Sequence, residues 1–232
     1  MLTSNGPSTN GSVMQLNIRQ LGQQPYLPVW QQMQAFTNKR DATTADELWV
    51  VEHDSVFTQG QAGKAEHVLN AGDIPVVKVD RGGQVTWHGP GQLVIYLLLD
   101  VRRINYGVRH LVNLIEESLV EYMASLGIKA AAKADAPGVY LQEGTQAGAK
   151  IAALGLKIRR GCSFHGLSFN ITCDLDAFQR INPCGYAGMP VARLVDLVPS
   201  ITFQQAQDAL LGILIRRLGH THITYCNGQE LA

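Results

Sequence analysis

The sequence predicts an α+β (α/β) fold built around a mixed β-sheet. Three observations lead there. Short β-favouring runs recur along the chain, amphipathic stretches of helical period interrupt them, and the two kinds of element do not follow the strict alternation of a doubly wound parallel sheet. With 232 residues, 46% of them hydrophobic and 16% charged, the chain has globular composition and enough length for a sizeable core. No linker, repeat or low-complexity stretch divides residues 16–232, which read as a single catalytic-sized domain. The Ser/Asn/Gly/Thr-rich residues 1–15 read as a disordered leader with neither the charged nor the apolar region of a signal peptide.

The elements follow in chain order. Between Pro25 and Arg40, Val29, Trp30, Met33 and Phe36 recur at helical spacing after a proline-rich start. Leu48–Val51 reads as a short buried strand and Ile74–Val79 as an alternating one. Gln92–Leu99 is a nearly continuous β-favouring run, the pattern of a strand covered on both faces. A helix follows, with Val108, Leu111, Val112, Ile115, Leu119, Tyr122, Met123 and Leu126 on one stripe. Glu116, Glu117 and Glu121 are expected on its solvent side, and Gly127 ends it. Gly138–Leu141, Ile151–Ile158 and Phe164–Thr172 read as strands, and Phe203–Leu218 as a last helix.

Composition excludes several classes. Nineteen Lys+Arg balance nineteen Asp+Glu, so there is no electrostatic case for nucleic-acid binding. Cys162, Cys173, Cys184 and Cys226 are too sparse for a disulfide framework, form no CxxC pair, and are expected as free thiols in a reducing cytoplasm. No histidine spacing suits a metal, the His220–His222 pair included, and no apolar run approaches the roughly 20 residues of a membrane span. Metal, membrane and nucleic acid are therefore not expected, and a monomer is.

Two segments carry chemistry. In Arg81–Gly91 five of eleven residues are Gly or Pro. The glycines admit close backbone approach to a ligand, while Arg81 and His88 offer charge and hydrogen bonds; it is neither a Walker A loop nor GxGxxG. In Ile181–Gly188, Cys184 sits in a Pro-Cys-Gly turn that presents its side chain. A nucleophilic thiol needs a neighbouring base or cation, and His88, His165 and Lys150 are all candidates that spacing does not separate. Backbone N–H groups at Gly82, Gly83 or Gly155 are candidate oxyanion donors.

Asp80–Gln92, Lys150–Gly155, Phe164–Asn170 and Ile181–Gly185, with Val51–Gly60 upstream, resemble in order and spacing the bacterial octanoyltransferases, the lipoyl(octanoyl) transferases of lipoate biosynthesis. The resemblance implies the biotin/lipoate protein ligase-like fold, with a larger mixed sheet, a smaller sheet and flanking helices. It also implies the reaction: octanoyl passes from the phosphopantetheine of acyl carrier protein to an enzyme thiol, then to a lysine ε-amine. The acceptors are lipoyl domains of 2-oxoacid dehydrogenases and the glycine-cleavage H protein. No cofactor is implied, the octanoyl group arriving as substrate on acyl carrier protein. Carried over, Cys184 matches the acyl-accepting nucleophile and Lys150 the residue that lowers its pKa. The acyl-substrate pocket matches Arg81, Gly82, Gly83, Gln84, Val85, Thr86, Trp87 and His88, with Ala153, Leu154 and Gly155 and with Gly166, Leu167 and Ser168. Ala153 and Ser168–Phe169 depart mildly from the family's usual residues, and Phe169 would narrow the pocket if it faced inward. Arg102–Arg103 and Lys157, Arg159 and Arg160 are candidate docking clusters for the acidic carrier. The alternatives are an ATP-dependent lipoate or biotin ligase on the same fold and a non-catalytic acyl or carrier-protein binding module.

Overall fold

The computed structural model describes residues 14–134 and 136–227. The expected leader lies mostly outside them, but Gln15 already belongs to the first strand. The chain runs β1 (Gln15–Gln24), α1 (Tyr26–Lys39), β2 (Asp46–His53), β3 (Val56–Gln59), β4 (Val76–Lys78), β5 (Val85–His88), β6 (Gln92–Leu98) and α2 (Val108–Ser125). It continues through β7 (Ala130–Ala132), β8 (Gly138–Leu141), β9 (Lys150–Arg159), β10 (Cys162–Asn170), α3 (Phe203–Leu218) and β11 (His222–Asn227). Eight strands form one sheet in the order β11-β1-β2-β6-β10-β9-β8-β7, and three form a second, β4-β3-β5. The large sheet is mixed, because β1 pairs in parallel with β11 and β2 while the other pairings are antiparallel.

The strands alternate between two cores. Leu16, Ile18, Leu93, Ile95, Ile151, Leu167 and Phe169 meet α2 and α3 on one face. Trp49, Val51, Val94, Tyr96 and Phe164 meet Val29 and Met33 of α1 on the other. With both faces covered, every residue of β6 is buried, as its unbroken apolar run requires. The small sheet has its own core of Phe57, Val85, Trp87, Phe178 and Ile181.

Helix ends follow their local chemistry. Thr202 and Gln205 form a reciprocal capping box at the start of α3, and Gly219, at φ 70°, closes it. Gly127, at φ 74°, follows α2 as expected. The expected faces of α2 need two corrections. Val108 is half exposed, at 50%, while Glu116 is buried at 7%. Glu116 is buried because its carboxylate has a partner inside the fold, the backbone N–H of Gly138 at 2.9 Å. Glu117 and Glu121 do lie outside, paired with Arg217.

Asp46, at the start of β2, is 1% exposed and organises one end of the fold. It accepts from Arg40 and Arg103, each at 2.7 Å, from His220 at 2.9 Å and from the Asp100 N–H at 2.8 Å. Burial opposes its charge, but these donors leave its carboxyl below the ordinary value. His220 is thus a structural hydrogen-bond partner of Asp46, and Arg103 a strut. Among the described residues no helix is long and apolar enough to cross a membrane.

Candidate active site

The site lies between the two sheets. Its floor is two rows running across β9, β10 and β6: Gly155, Gly166 and Tyr96 in register, then Ala153, Ser168 and Val94. Small residues on β9 and β10 leave room above the sheet, and Gly166 tolerates nothing larger, since a Cβ there would lie 2.0 Å from the Ile95 carbonyl oxygen. The walls are β5, the Arg81–Gln84 loop and Tyr26 at the start of α1, enclosing a cavity of about 500 Å³ including its mouth. Leu154 and Leu167 border it too while also packing against the helix-facing core, whereas Phe169 belongs to that core alone. Phe169 sets its ring edge-on to Tyr122 of α2 and so does not narrow the cavity.

Cys184 borders this cavity. It sits in the 3-10 turn Pro183–Gly185 at φ 56°, a left-handed conformation uncommon for a non-glycine residue, with Gly185 following at φ 81°. Lys150, the first residue of β9, is 4% exposed. Its Nζ donates to Cys184 Sγ at 2.9 Å and to the Pro137 carbonyl oxygen at 3.1 Å, and lies 5.0 Å from the Tyr140 ring centroid. Burial works to lower the Lys150 ammonium, but a Cys184 thiolate, the bond to it and the neighbouring Tyr140 outweigh burial and leave it above the ordinary lysine value.

This geometry separates the three candidate partners of the thiol. His88 donates through Nδ1 to Gln92 Oε1 at 2.7 Å, and Gln92 donates to Asn170 at 2.9 Å. His165 donates through Nε2 to Asp80 at 2.9 Å. Both histidines line the cavity but spend these nitrogens on structural partners, so Lys150 is the candidate brought to the sulfur. His165 reaches the cavity through its left-handed backbone, φ 62°, which turns it to the same side as Phe164.

The Arg81–Gly91 segment divides. Arg81 is buried and holds Thr58 through its carbonyl at 2.7 Å and its hydroxyl at 2.9 Å. It braces the loop and places a cation beside the cavity; burial lowers its pKa below the ordinary arginine value. Gly83, Gln84, Val85, Thr86 and His88 line the cavity, and Gly82 lines an adjoining groove. Trp87 does not line it: alternation along β5 turns the indole into the small-sheet core, against Phe178. Gly82 N–H is already given to the Leu156 carbonyl at 3.2 Å, and Gly155 lies in the β9–β10 ladder, so neither is a free oxyanion donor.

Several residues join the site that the sequence reading does not single out. Tyr26 stacks over His88 with centroids 5.8 Å apart, and Tyr96 donates its hydroxyl to His53 Nε2 at 2.7 Å. Burial pushes His53 down to about 4 and His88 down to about 3, which keeps both neutral. Asp80 is held well below the carboxylate range: burial opposes its charge, but donors from His165, Trp30 and Gln34 prevail.

A family model described as the lipoyl protein ligase A/B catalytic domain matches residues 25–214. An octanoyltransferase of Pseudomonas paraeruginosa is 59% identical over 219 residues, covering 94% of this chain and 99% of that one. Among solved structures, a bi-partite lipoate protein ligase from Thermoplasma acidophilum superposes with a TM-score of 0.69 at 17% identity, over 93% of this chain and 87% of that one. Biotin protein ligase from Aquifex aeolicus gives 0.52 at 12% identity, over 87% and 69%. These two likenesses establish the biotin/lipoate ligase-like architecture of paired sheets and flanking helices. By both its family match and its curated relatives, the chain belongs to the lipoyl protein ligase A/B catalytic family and, within it, to the octanoyltransferases, which are acyltransferases.

Proposed function

We propose that this octanoyltransferase carries the acyl group on Cys184 and moves protons through Lys150. The observation that carries the reading is the 2.9 Å contact between Lys150 Nζ and Cys184 Sγ at the edge of the intersheet cavity. With the pair as thiolate and ammonium, the sulfur attacks the thioester carbonyl of octanoyl-acyl carrier protein. The carbonyl-to-donor sulfur bond breaks, and the leaving pantetheine thiolate takes the Lys150 proton, leaving a Cys184 thioester and a neutral amine. A lipoyl-domain lysine then attacks that thioester as its free amine. Its proton passes to Lys150, the carbon–sulfur bond breaks, and amide formation restores the thiolate–ammonium pair. Neither transfer draws on a cofactor, and the free thiols suit a reducing cytoplasm.

The octanoyl tail is assigned to the cavity over Ala153, Gly155, Gly166 and Ser168. At about 0.8 kcal/mol per buried methylene, an eight-carbon chain gains roughly 5 kcal/mol there. Arg159 and Arg160, exposed at the β9–β10 turn, and the half-buried Lys157 beside them in β9 are assigned to docking the acidic carrier protein. Arg102 and Arg103 are engaged with Asp100 and Asp46.

Incubation with octanoyl-acyl carrier protein, read by intact mass, tests the mechanism. One octanoyl adduct removed by hydroxylamine is expected on the wild type, none on Cys184→Ala, and slow formation on Lys150→Ala. An adduct persisting on Cys184→Ala, or turnover only with ATP and free octanoate, would overturn it, the latter in favour of a ligase.

A further inference from the structure

Glu116 is the buried ionisable group next to the reacting pair that this mechanism leaves without a role. It projects from the middle of α2, and its Oε1 accepts the Gly138 N–H at 2.9 Å. The same peptide group presents its other end to the active site, where the Pro137 carbonyl oxygen accepts Lys150 Nζ at 3.1 Å. Carboxylate, peptide, ammonium and sulfur therefore form one chain, ending in the 2.9 Å contact between Lys150 and Cys184. Gly138 suits this position, at φ 140°, because a Cβ there would lie 2.6 Å from the Ala152 carbonyl oxygen and 3.2 Å from Lys150 Nζ.

We infer that Glu116 is a positioning residue for the Lys150–Cys184 pair, acting through the Pro137–Gly138 peptide group. This rests on the assignment of those two residues as the reacting pair. A negative charge at the N–H end of a peptide polarises it and deepens the charge on its carbonyl oxygen. The oxygen then holds the Lys150 ammonium more firmly, and the carboxylate itself favours the cation across the peptide. Burial raises the Glu116 carboxyl, while the Gly138 N–H and the Lys150 charge oppose burial. Among the described residues, the other titratable groups around this chain are Tyr140 beneath Lys150, Lys133 at 4.1 Å from the same ring, and Tyr186 beyond it.

A purely structural strap between α2 and β8 needs only an acceptor of the right length, whereas positioning needs the charge. Glu116→Gln keeps the acceptor and loses the charge; Glu116→Asp keeps the charge and shortens the reach. The experiment measures acyl-enzyme formation from octanoyl-acyl carrier protein across pH, with thermal unfolding recorded in parallel. The rate falls at high pH as the Lys150 ammonium, which protonates the leaving thiolate, is lost. For Glu116→Gln we expect this alkaline limb to move to lower pH by about one unit and the maximal rate to fall roughly tenfold. The KM for the donor should stay unchanged, and Glu116→Asp should keep its limb nearer the wild type. Superimposed limbs for Glu116→Gln and wild type, or a larger displacement in Glu116→Asp, would overturn the inference while leaving the thioester mechanism standing. A wild type forming no hydroxylamine-sensitive adduct would overturn both.

Discussion

Replacing Asp46 with Asn should cost the fold about 3–5 kcal/mol, the range for breaking a buried ion pair. The substitution keeps an oxygen that can still accept from Arg40, Arg103 and the Asp100 N–H, so hydrogen-bond number alone predicts a mild effect. The charge decides otherwise. The Arg40 side chain is 2% exposed and the Arg103 side chain 24%, and both point at the one carboxylate oxygen. Without that charge a cation stays buried beside a neutral amide. His220 Nε2 must also become an acceptor, moving its proton to a buried Nδ1 that has no partner among the described residues. Equilibrium urea denaturation at neutral pH measures the loss. Because the folded Asp46 carboxyl lies below its ordinary value, its contribution is complete above the unfolded carboxylate pKa of about 4 and disappears as pH falls through the folded value. Wild type and variant should therefore converge in acid. A loss under about 1 kcal/mol at neutral pH, the worth of a surface pair, would refute this account.

The same network separates the two basic clusters: Arg103→Glu should lower the unfolding midpoint, whereas Arg159→Glu with Arg160→Glu should raise the KM for acyl carrier protein and flatten its salt dependence without unfolding the chain. Gly166→Ala should lower stability by about 1–3 kcal/mol or prevent folding, read from soluble yield and denaturant midpoint, since its methyl meets the Ile95 carbonyl oxygen at 2.0 Å. His53 and His88 have folded values depressed to about 4 and about 3, so their contribution is full above the ordinary histidine pKa of about 6.5 and declines as pH falls below it. Unfolding free energies from denaturant curves between pH 7 and pH 5 should fall at up to about 1.4 kcal/mol per pH unit for each histidine, and a flat profile would contradict their neutral burial.

Where local chemistry decides an element, the sequence was sufficient. Phe203–Leu218 carries its own start in Thr202 and Gln205 and its stop in Gly219, and the helix occupies those residues. Gln92–Leu98 declares a doubly covered strand through unbroken apolarity. β3 and β5 are harder: each is four residues long, and β5 lies in a Gly- and Pro-rich segment that reads as a loop. Trp87 is carried over with its neighbours from the family resemblance, but alternation along β5 sends Thr86 and His88 to the cavity and Trp87 to the core. The Cys184 turn is legible in Pro-Cys-Gly, but spacing does not choose its partner among His88, His165 and Lys150; the resemblance points to Lys150, and the fold brings it to the sulfur across 34 residues. Glu116 defeats helical periodicity for the same reason, because the group that allows its burial lies 22 residues away on β8. His165 faces the cavity through a backbone inversion that no alternation rule anticipates.

The position of Cys184 bears on the order of events. It borders the intersheet cavity, a smaller cavity under Lys150 and Val191, and the groove lined by Gly82, Pro137, Leu156 and Tyr186. An acyl group seated in the first can thus be approached at its carbonyl from the groove, while Lys150 attends the sulfur from behind. Lys150 borders both the smaller cavity and the groove, so one amine can give its proton to a departing thiolate and take one from an arriving amine. In the proposed reaction donor and acceptor are both whole proteins that bring a flexible arm to the same sulfur, so their occupancy is expected to be successive. Initial rates at several fixed lipoyl-domain concentrations should give parallel double-reciprocal lines against octanoyl-acyl carrier protein, with each protein inhibiting competitively against the other at high concentration. Intersecting lines would mean that both partners sit on the enzyme together, and the groove beside Cys184 would then hold only one of the two arms.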